Sequence, residues 1–219
     1  MSSLKTVIFD FDYTLGDSTK GIVMSINYAL SKLGYKVSDV EEIRRTIGLS
    51  LKDTYFALTN DENQEKADLF STFFKEKADD VMVDNTVLYS GVKDVLLGLK
   101  DRGYKIAIVT TKYHYRIEQI LNRYDCRELV DGIVGAEDVK IEKPNPEGIL
   151  RVITDFETDK AEVIYIGDSI VDAKTAENAQ VDFIAVLTGA TTKMEFQDYK
   201  NLCVCKDITD AFHYILTLE

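Results

Sequence analysis

Short runs of consecutive apolar residues, with no alternation of apolar and polar, dictate the architecture of this chain. They fall at Thr6–Phe9, Lys105–Val109, Val163–Ile166 and Phe183–Leu187, with weaker runs at Ile133–Val134 and Leu202–Val204. A strand with one face in water alternates apolar and polar side chains. A strand covered on both faces is apolar throughout, as in a parallel sheet sandwiched between helices. Helical stripes fill the intervals: Val92, Val95, Leu96 and Leu99; Ile117, Ile120, Leu121 and Tyr124; Ile208, Ala211, Phe212 and Ile215. Gly103 stands just past the first stripe, where a left-handed residue ends a helix. The alternation predicts an α/β class domain built on a doubly wound parallel sheet.

One interval breaks the rhythm. Residues 17–84 carry helical patterns and no convincing strand: Ile22, Ile26, Ala29, Leu30 and Leu33 share one face, and Ala67, Phe70, Phe74, Ala78 and Val81 share another. The expected organisation is an α/β core from 1–16 and 85–219, with 17–84 as an inserted all-helical domain between linkers at Leu15–Ser18 and Asn85–Gly91. With 38 acidic against 26 basic residues the net charge is −12, which argues against a nucleic-acid partner needing a basic footprint. No apolar run reaches the length of a membrane span, and Asp10 comes too early for a signal peptide. Cys126, Cys203 and Cys205 read as reduced thiols, so a cytoplasmic enzyme without membrane contact is expected.

The chemistry-bearing residues cluster where strands end. The first strand runs into Asp10-Phe11-Asp12-Tyr13-Thr14, and in extended backbone Asp10 and Asp12 project to one face. Ligands of open parallel sheets bind at the carboxyl ends of the strands. Two carboxylates there repel unless a proton or cation separates them, and a hard dication, most simply Mg²⁺, resolves the conflict. Taken alone, the pair reads equally well as a solvated acidic turn. The strand 106–109 ends in Thr110-Thr111-Lys112, and 163–166 ends in Gly167-Asp168-Ser169, with Asp172 about one helical turn further on. Between them, in Lys143-Pro144-Asn145-Pro146, Asn145 suits an N-cap and Pro146 the first helical position, fixing Lys143 just before a helix. Each residue has an ordinary structural reading; their coincidence at successive strand ends favours a site.

These four segments, in this order, resemble the four motifs of the haloacid dehalogenase (HAD) superfamily of phosphohydrolases, over essentially the whole chain. Ile47–Asp53 resembles the cap loop, and Leu88–Val92 the return linker, of the phosphoglycolate-phosphatase-like branch with its helical cap. The resemblance implies Asp10 as nucleophile of an aspartyl-phosphate intermediate and Asp12 as general acid, then base. It implies Mg²⁺ held by the Asp10 carboxylate, the Asp12 backbone carbonyl and Asp168, with Asp172 supporting that shell and positioning Lys143. Thr110, Thr111 and Lys143 would contact the phosphoryl group. The expected substrate is a small phosphorylated metabolite, phosphoglycolate-like or a sugar phosphate, with a β-phosphoglucomutase-like phosphomutase, a pyrophosphatase or a nucleotidase as alternatives.

Departures from the pattern locate what is particular to this chain. Tyr13 stands where the family has Gly, Thr111 where Asn is frequent, and Ser50 and Ser90 where prolines are common. Arg44, Arg45 and Lys52 flank the cap loop; Arg45 and Lys52 are the candidate specificity residues, against a reading as solvated helix-end charges. His114 follows the second motif closely and reads mainly as a surface or capping residue; His213 has no catalytic reading. The chain is expected to be a monomer or a weak homo-oligomer.

Overall fold

The computed structural model describes residues 4–218. In chain order, β1 (Thr6–Phe9) and the two-residue β2 (Gly16–Asp17) precede α1 (Thr19–Lys32), α2 (Val40–Arg44), α3 (Leu51–Thr59) and α4 (Gln64–Val81). Then follow β3 (Val87–Leu88), α5 (Val92–Asp101), β4 (Lys105–Val109), α6 (His114–Arg123), β5 (Gly132–Val134) and α7 (Glu147–Asp155). The chain closes with β6 (Val163–Gly167), α8 (Ile170–Ala179), β7 (Asp182–Val186), β8 (Cys203–Cys205) and α9 (Ile208–Leu216). Among the described residues six strands form one all-parallel sheet in the order β5-β4-β1-β6-β7-β8. The chain winds from central β1 out to β5, then returns to β6 on the other side of β1 and continues to β8. A crevice at the carboxyl ends of β1, β4 and β6 is the topological switch point of such a sheet.

Burial explains the apolar runs. Every residue of β1 is buried, and so are Ile106–Val109 of β4 and all of β6. On one face Ile8, Val109, Tyr165 and Phe183 pack against Ile149 and Val152 of α7 and Ala173, Ala176 and Ala179 of α8. The other face is covered by α5 and α9, which bury Val95, Leu96 and Leu99, and Ala211 and Ile215. Each buried Val, Leu or Ile among these contributes about 1.5–3 kcal/mol.

Several boundaries differ from the sequence reading. β7 runs Asp182–Val186, one residue earlier than its apolar run, because Asp182 pairs with Ile164 and the Leu187 N–H bonds the Cys205 carbonyl. β8 shifts one residue later to Cys203–Cys205, and the two thiols on its one side lie 3.2 Å apart. α7 begins at Glu147, not Pro146. The Asn145 side chain accepts from the Glu147 N–H at 3.0 Å, and Pro146 itself takes the cap position.

The chain divides into two compact units, Met1–Gly16 with Leu88–Glu219, and Asp17–Val87. The second is all-helical but for the ends of β2 and β3, and its core is Ile22, Ile26 and Leu30 of α1, Tyr55 of α3, and Phe70, Phe74 and Ala78 of α4. Tyr35, Tyr55, Asp61 and Lys66 form one polar knot beside that core, with Lys66 donating to both Tyr35 and Asp61. The return boundary falls after 84 because the Thr86 hydroxyl bonds Ser18 at 2.9 Å and the Met82 carbonyl at 2.8 Å inside the helical unit. Among the described residues no helix is long and apolar enough to cross a membrane.

Candidate active site

The Asp10 N–H continues the sheet ladder by donating to the Ile166 carbonyl at 2.8 Å, so its side chain leaves the end of β1 in a fixed direction. The chain then turns tightly: the Phe11 carbonyl accepts from the backbone N–H groups of Thr14, Leu15 and Gly16. Tyr13 occupies the left-handed region, φ 61°, which explains why glycine suits this position in relatives of the motif. Its side chain is buried, its N–H donates to Gly16, and its carbonyl accepts from the Thr188 hydroxyl. Tyr13 therefore belongs to the turn's packing.

Around Asp10 the structure gathers groups from four segments. Lys143 Nζ lies 2.9 Å from Asp10 Oδ1, 2.7 Å from Asp172 Oδ1 and 3.1 Å from the Tyr165 hydroxyl. All are buried, and Asp172 is fully so. Asp172 is held from behind: Oδ2 accepts from the Ser169 N–H and hydroxyl, the capping box that starts α8. Tyr165 lies 3.1 Å from the Val109 carbonyl and 2.8 Å from Asp172 Oδ1, so its hydroxyl links β4, β6, α8 and the lysine loop. Thr110 and Lys143 line one small cavity, and the Thr110 hydroxyl accepts from the Lys112 N–H. Thr111 is only half-buried.

Asp10, Asp168 and Asp172 can bring one carboxylate oxygen each within 4.8 Å of one another. Burial, opposed by Lys143 and reinforced by repulsion from Asp172 and Asp12, pushes Asp10 up to about 7. Burial and the charges of Asp172 and Asp10 drive Asp168 well above the usual carboxylate range. Burial pulls Lys143 down, but Asp10 and Asp172 outweigh it and hold the ammonium above the ordinary lysine value. Burial first, then Asp172, keeps Tyr165 a neutral phenol. Among the described residues the Asp168 carboxylate receives one long bond, from the Thr14 hydroxyl at 3.4 Å. Crowded buried oxygens with one shared ammonium fit a hard dication such as Mg²⁺. The Asp12 carboxylate, whose residue the resemblance assigns to the metal through the backbone carbonyl, lies outside this cluster, with Lys112 Nζ 3.0 Å from Asp12 Oδ2, while Asp172, read as supporting the metal shell, is in it.

Lys112, Tyr165 and Gly189 are the site residues that sequence reasoning missed. Gly189 lies so close that a Cβ there would fall 1.8 Å from Asp168 Oδ2. Tyr165 carried a signal, because a hydroxyl in a strand covered on both faces must find a partner inside. Lys112 likewise sat directly after Thr110-Thr111 at a strand end. His114 is turned to Asp138, Nδ1 to Oδ2 at 2.8 Å. In the helical unit Lys52 pairs with Asp68 at 2.7 Å, Arg44 reaches Glu41 at 3.5 Å, and Arg45 is the C-cap of α2.

A doubly wound parallel sheet with buried acids and a lysine at its central strand ends defines an α/β fold whose candidate site lies at the switch point. The chain belongs to the haloacid dehalogenase-like hydrolases, whose family model matches residues 7–186. A relative from Bacillus pumilus, the pyrophosphatase PpaX, is 32% identical over 178 residues, 81% of each chain. A haloacid dehalogenase-like hydrolase from Bacteroides fragilis superposes with a TM-score of 0.91 at 38% identity, covering 94% of this chain and 98% of that one. A predicted phosphoglycolate phosphatase from Haemophilus somnus shares the fold, with a TM-score of 0.85 at 22% identity over 98% and 99% of the two chains.

Proposed function

We propose that the protein is a Mg²⁺-dependent phosphatase of small phosphorylated compounds that works through an aspartyl-phosphate on Asp10. The observation that carries this reading is Lys143 clamped between Asp10 and Asp172, with Asp168 within ligand reach of both acids. A phosphate monoester and a carboxylate nucleophile are both anions, so their approach needs positive charge fixed in advance. Lys143 supplies one such charge at Asp10, and Tyr165 and Asp172 hold it there. Asp10 and Asp168, with the Asp12 carbonyl, would hold Mg²⁺, which supplies further charge to keep Asp10 ionised and to draw phosphoryl oxygens inward. The Thr110 hydroxyl and the Lys143 ammonium would take the phosphoryl oxygens. Asp10 attacks phosphorus and the ester bond to the leaving oxygen breaks, with Asp12 delivering the proton. Asp12, now a carboxylate, removes a proton from the water that cleaves the aspartyl-phosphate.

Pyrophosphate is the second substrate reading, favoured by the PpaX relative and by a second buried ammonium, Lys112, beside Asp12. The test is phosphate release from a panel holding phosphoglycolate, sugar phosphates, nucleotides and pyrophosphate, with Mg²⁺ present. Asp10→Asn keeps the shape but loses an attacking oxygen, and turnover is expected to vanish. Wild-type-like release by purified Asp10→Asn, or no release from any compound, overturns the proposal.

A further inference from the structure

Lys112 is the buried cation that the scheme above leaves without a task. Its side chain is 4% exposed and that of Asp12 is 11% exposed, with Nζ 3.0 Å from Asp12 Oδ2. Its backbone is pinned at both ends: the N–H donates to the Thr110 hydroxyl at 3.2 Å, and the carbonyl accepts from the Ala136 N–H at 3.1 Å. The ammonium is therefore aimed by the turn after β4. A lysine is rarely buried so fully without a carboxylate to hold, and here it grips one oxygen of that carboxylate only. The other oxygen, Asp12 Oδ1, is buried with no hydrogen-bond partner. A buried acceptor left unpaired is destabilising, so it persists where it has a use.

We propose that Lys112 is a positioning residue for Asp12. By holding Oδ2 it fixes the carboxyl rotamer and leaves Oδ1 as the atom that gives the proton to the leaving oxygen and then takes one from the attacking water. This rests on the reading of Asp12 as general acid and base. When Asp12 gives its proton away, the carboxylate that forms is kept by the ammonium in the orientation it had before.

Leaving-group dependence tests the assignment, because kcat/KM reports the steps up to transfer of the phosphoryl group to Asp10. An alkoxide must be protonated as it leaves, whereas p-nitrophenolate leaves unaided. Lys112→Met should lower kcat/KM for an alkyl phosphate by about 100-fold, a typical general-acid contribution, and for p-nitrophenyl phosphate by only about 3-fold. Asp12→Asn should show the same selectivity, and adding Lys112→Met to it should bring no further selective loss. If Lys112→Met does not fold, Lys112→Gln serves in its place. A parallel loss on both esters, or a loss confined to pyrophosphate as a third substrate, overturns the assignment; the latter gives Lys112 to substrate binding. A selective Asp12→Asn with a non-selective Lys112→Met refutes the positioning role alone. A non-selective Asp12→Asn refutes the acid reading and the positioning with it.

Discussion

Gly189→Ala is the smallest perturbation that separates the architecture of the site from its chemistry. The added methyl carbon would stand 1.8 Å from Asp168 Oδ2 and 2.7 Å from its carboxyl carbon, whereas real Cβ atoms essentially never come within 3.0 Å of another heavy atom. Gly189 does not adopt the left-handed backbone that only glycine tolerates well, so the demand is for space and not for conformation. Something must move by more than an ångström. The loop is tethered by the Thr188 hydroxyl on the Tyr13 carbonyl, so the freer partner is the Asp168 carboxylate, held by one 3.4 Å bond. A displacement of about 1 Å in a catalytic constellation costs about 100-fold in rate, and disturbing the support of a metal ligand costs about 10- to 100-fold in affinity. The assay is phosphate release against Mg²⁺ concentration, with calorimetric Mg²⁺ titration and a thermal melt alongside. The Mg²⁺ requirement should rise by about one to two decades while the fold survives. Unchanged turnover and Mg²⁺ requirement would refute the claim that Asp168 and Gly189 share one fitted contact.

Two further outcomes follow from the same contacts. Tyr165→Phe removes the hydroxyl shared by Lys143, Asp172 and Val109, so KM for the phosphate ester should rise about 10-fold as Lys143 loses its aim, and equal KM values would count against it. In EDTA the protein should lose stability as pH rises. Asp10, raised to about 7 from 3.8, holds a proton in the folded state that the unfolded chain has released, so its contribution is full below the unfolded value and lost on passing about 7. Saturating Mg²⁺ should flatten the trend in urea midpoints between about pH 5 and pH 8, and a midpoint that climbs across that window in EDTA would contradict it.

How much of this was legible in the sequence depends on the range of the interaction. The parallel sheet was readable because burial on both faces writes itself into consecutive residues, and β1, β4 and β6 sit where their apolar runs lie. Strand ends slipped by a residue at β7 and β8, since hydrogen bonds to a neighbouring strand set those ends, and no local pattern encodes them. Asp10, Asp168, Asp172 and Lys143 were nameable because each stands at a strand or helix end, and the fold does bring them together. Lys112 also stands at a strand end, but neither it nor Gly189 could be given a task from its place alone. Their importance lies in what they touch across the fold, an Asp12 oxygen 100 residues away in sequence and an Asp168 oxygen, and neither contact leaves a periodic trace.

The charges at the switch point follow from those contacts. Four carboxylates and two ammonium groups are brought together there, and each ammonium is already committed: Lys112 to Asp12, Lys143 to Asp10 and Asp172 together. Asp168 is left with a hydroxyl, which screens a buried charge poorly. With all four acids ionised, the deficit of two positive charges would be that of one dication, and it would be concentrated on Asp168 and the shared Asp10. A net charge of −12 over the whole chain would repel a phosphate dianion at long range, yet most of that charge is exposed and screened by salt. What an arriving phosphate meets is the local balance, in low dielectric, where each buried ammonium counts for far more than a surface acid. An acidic protein can therefore bind an anion, because the charges buried at the site and not those spread over the surface decide what the anion meets.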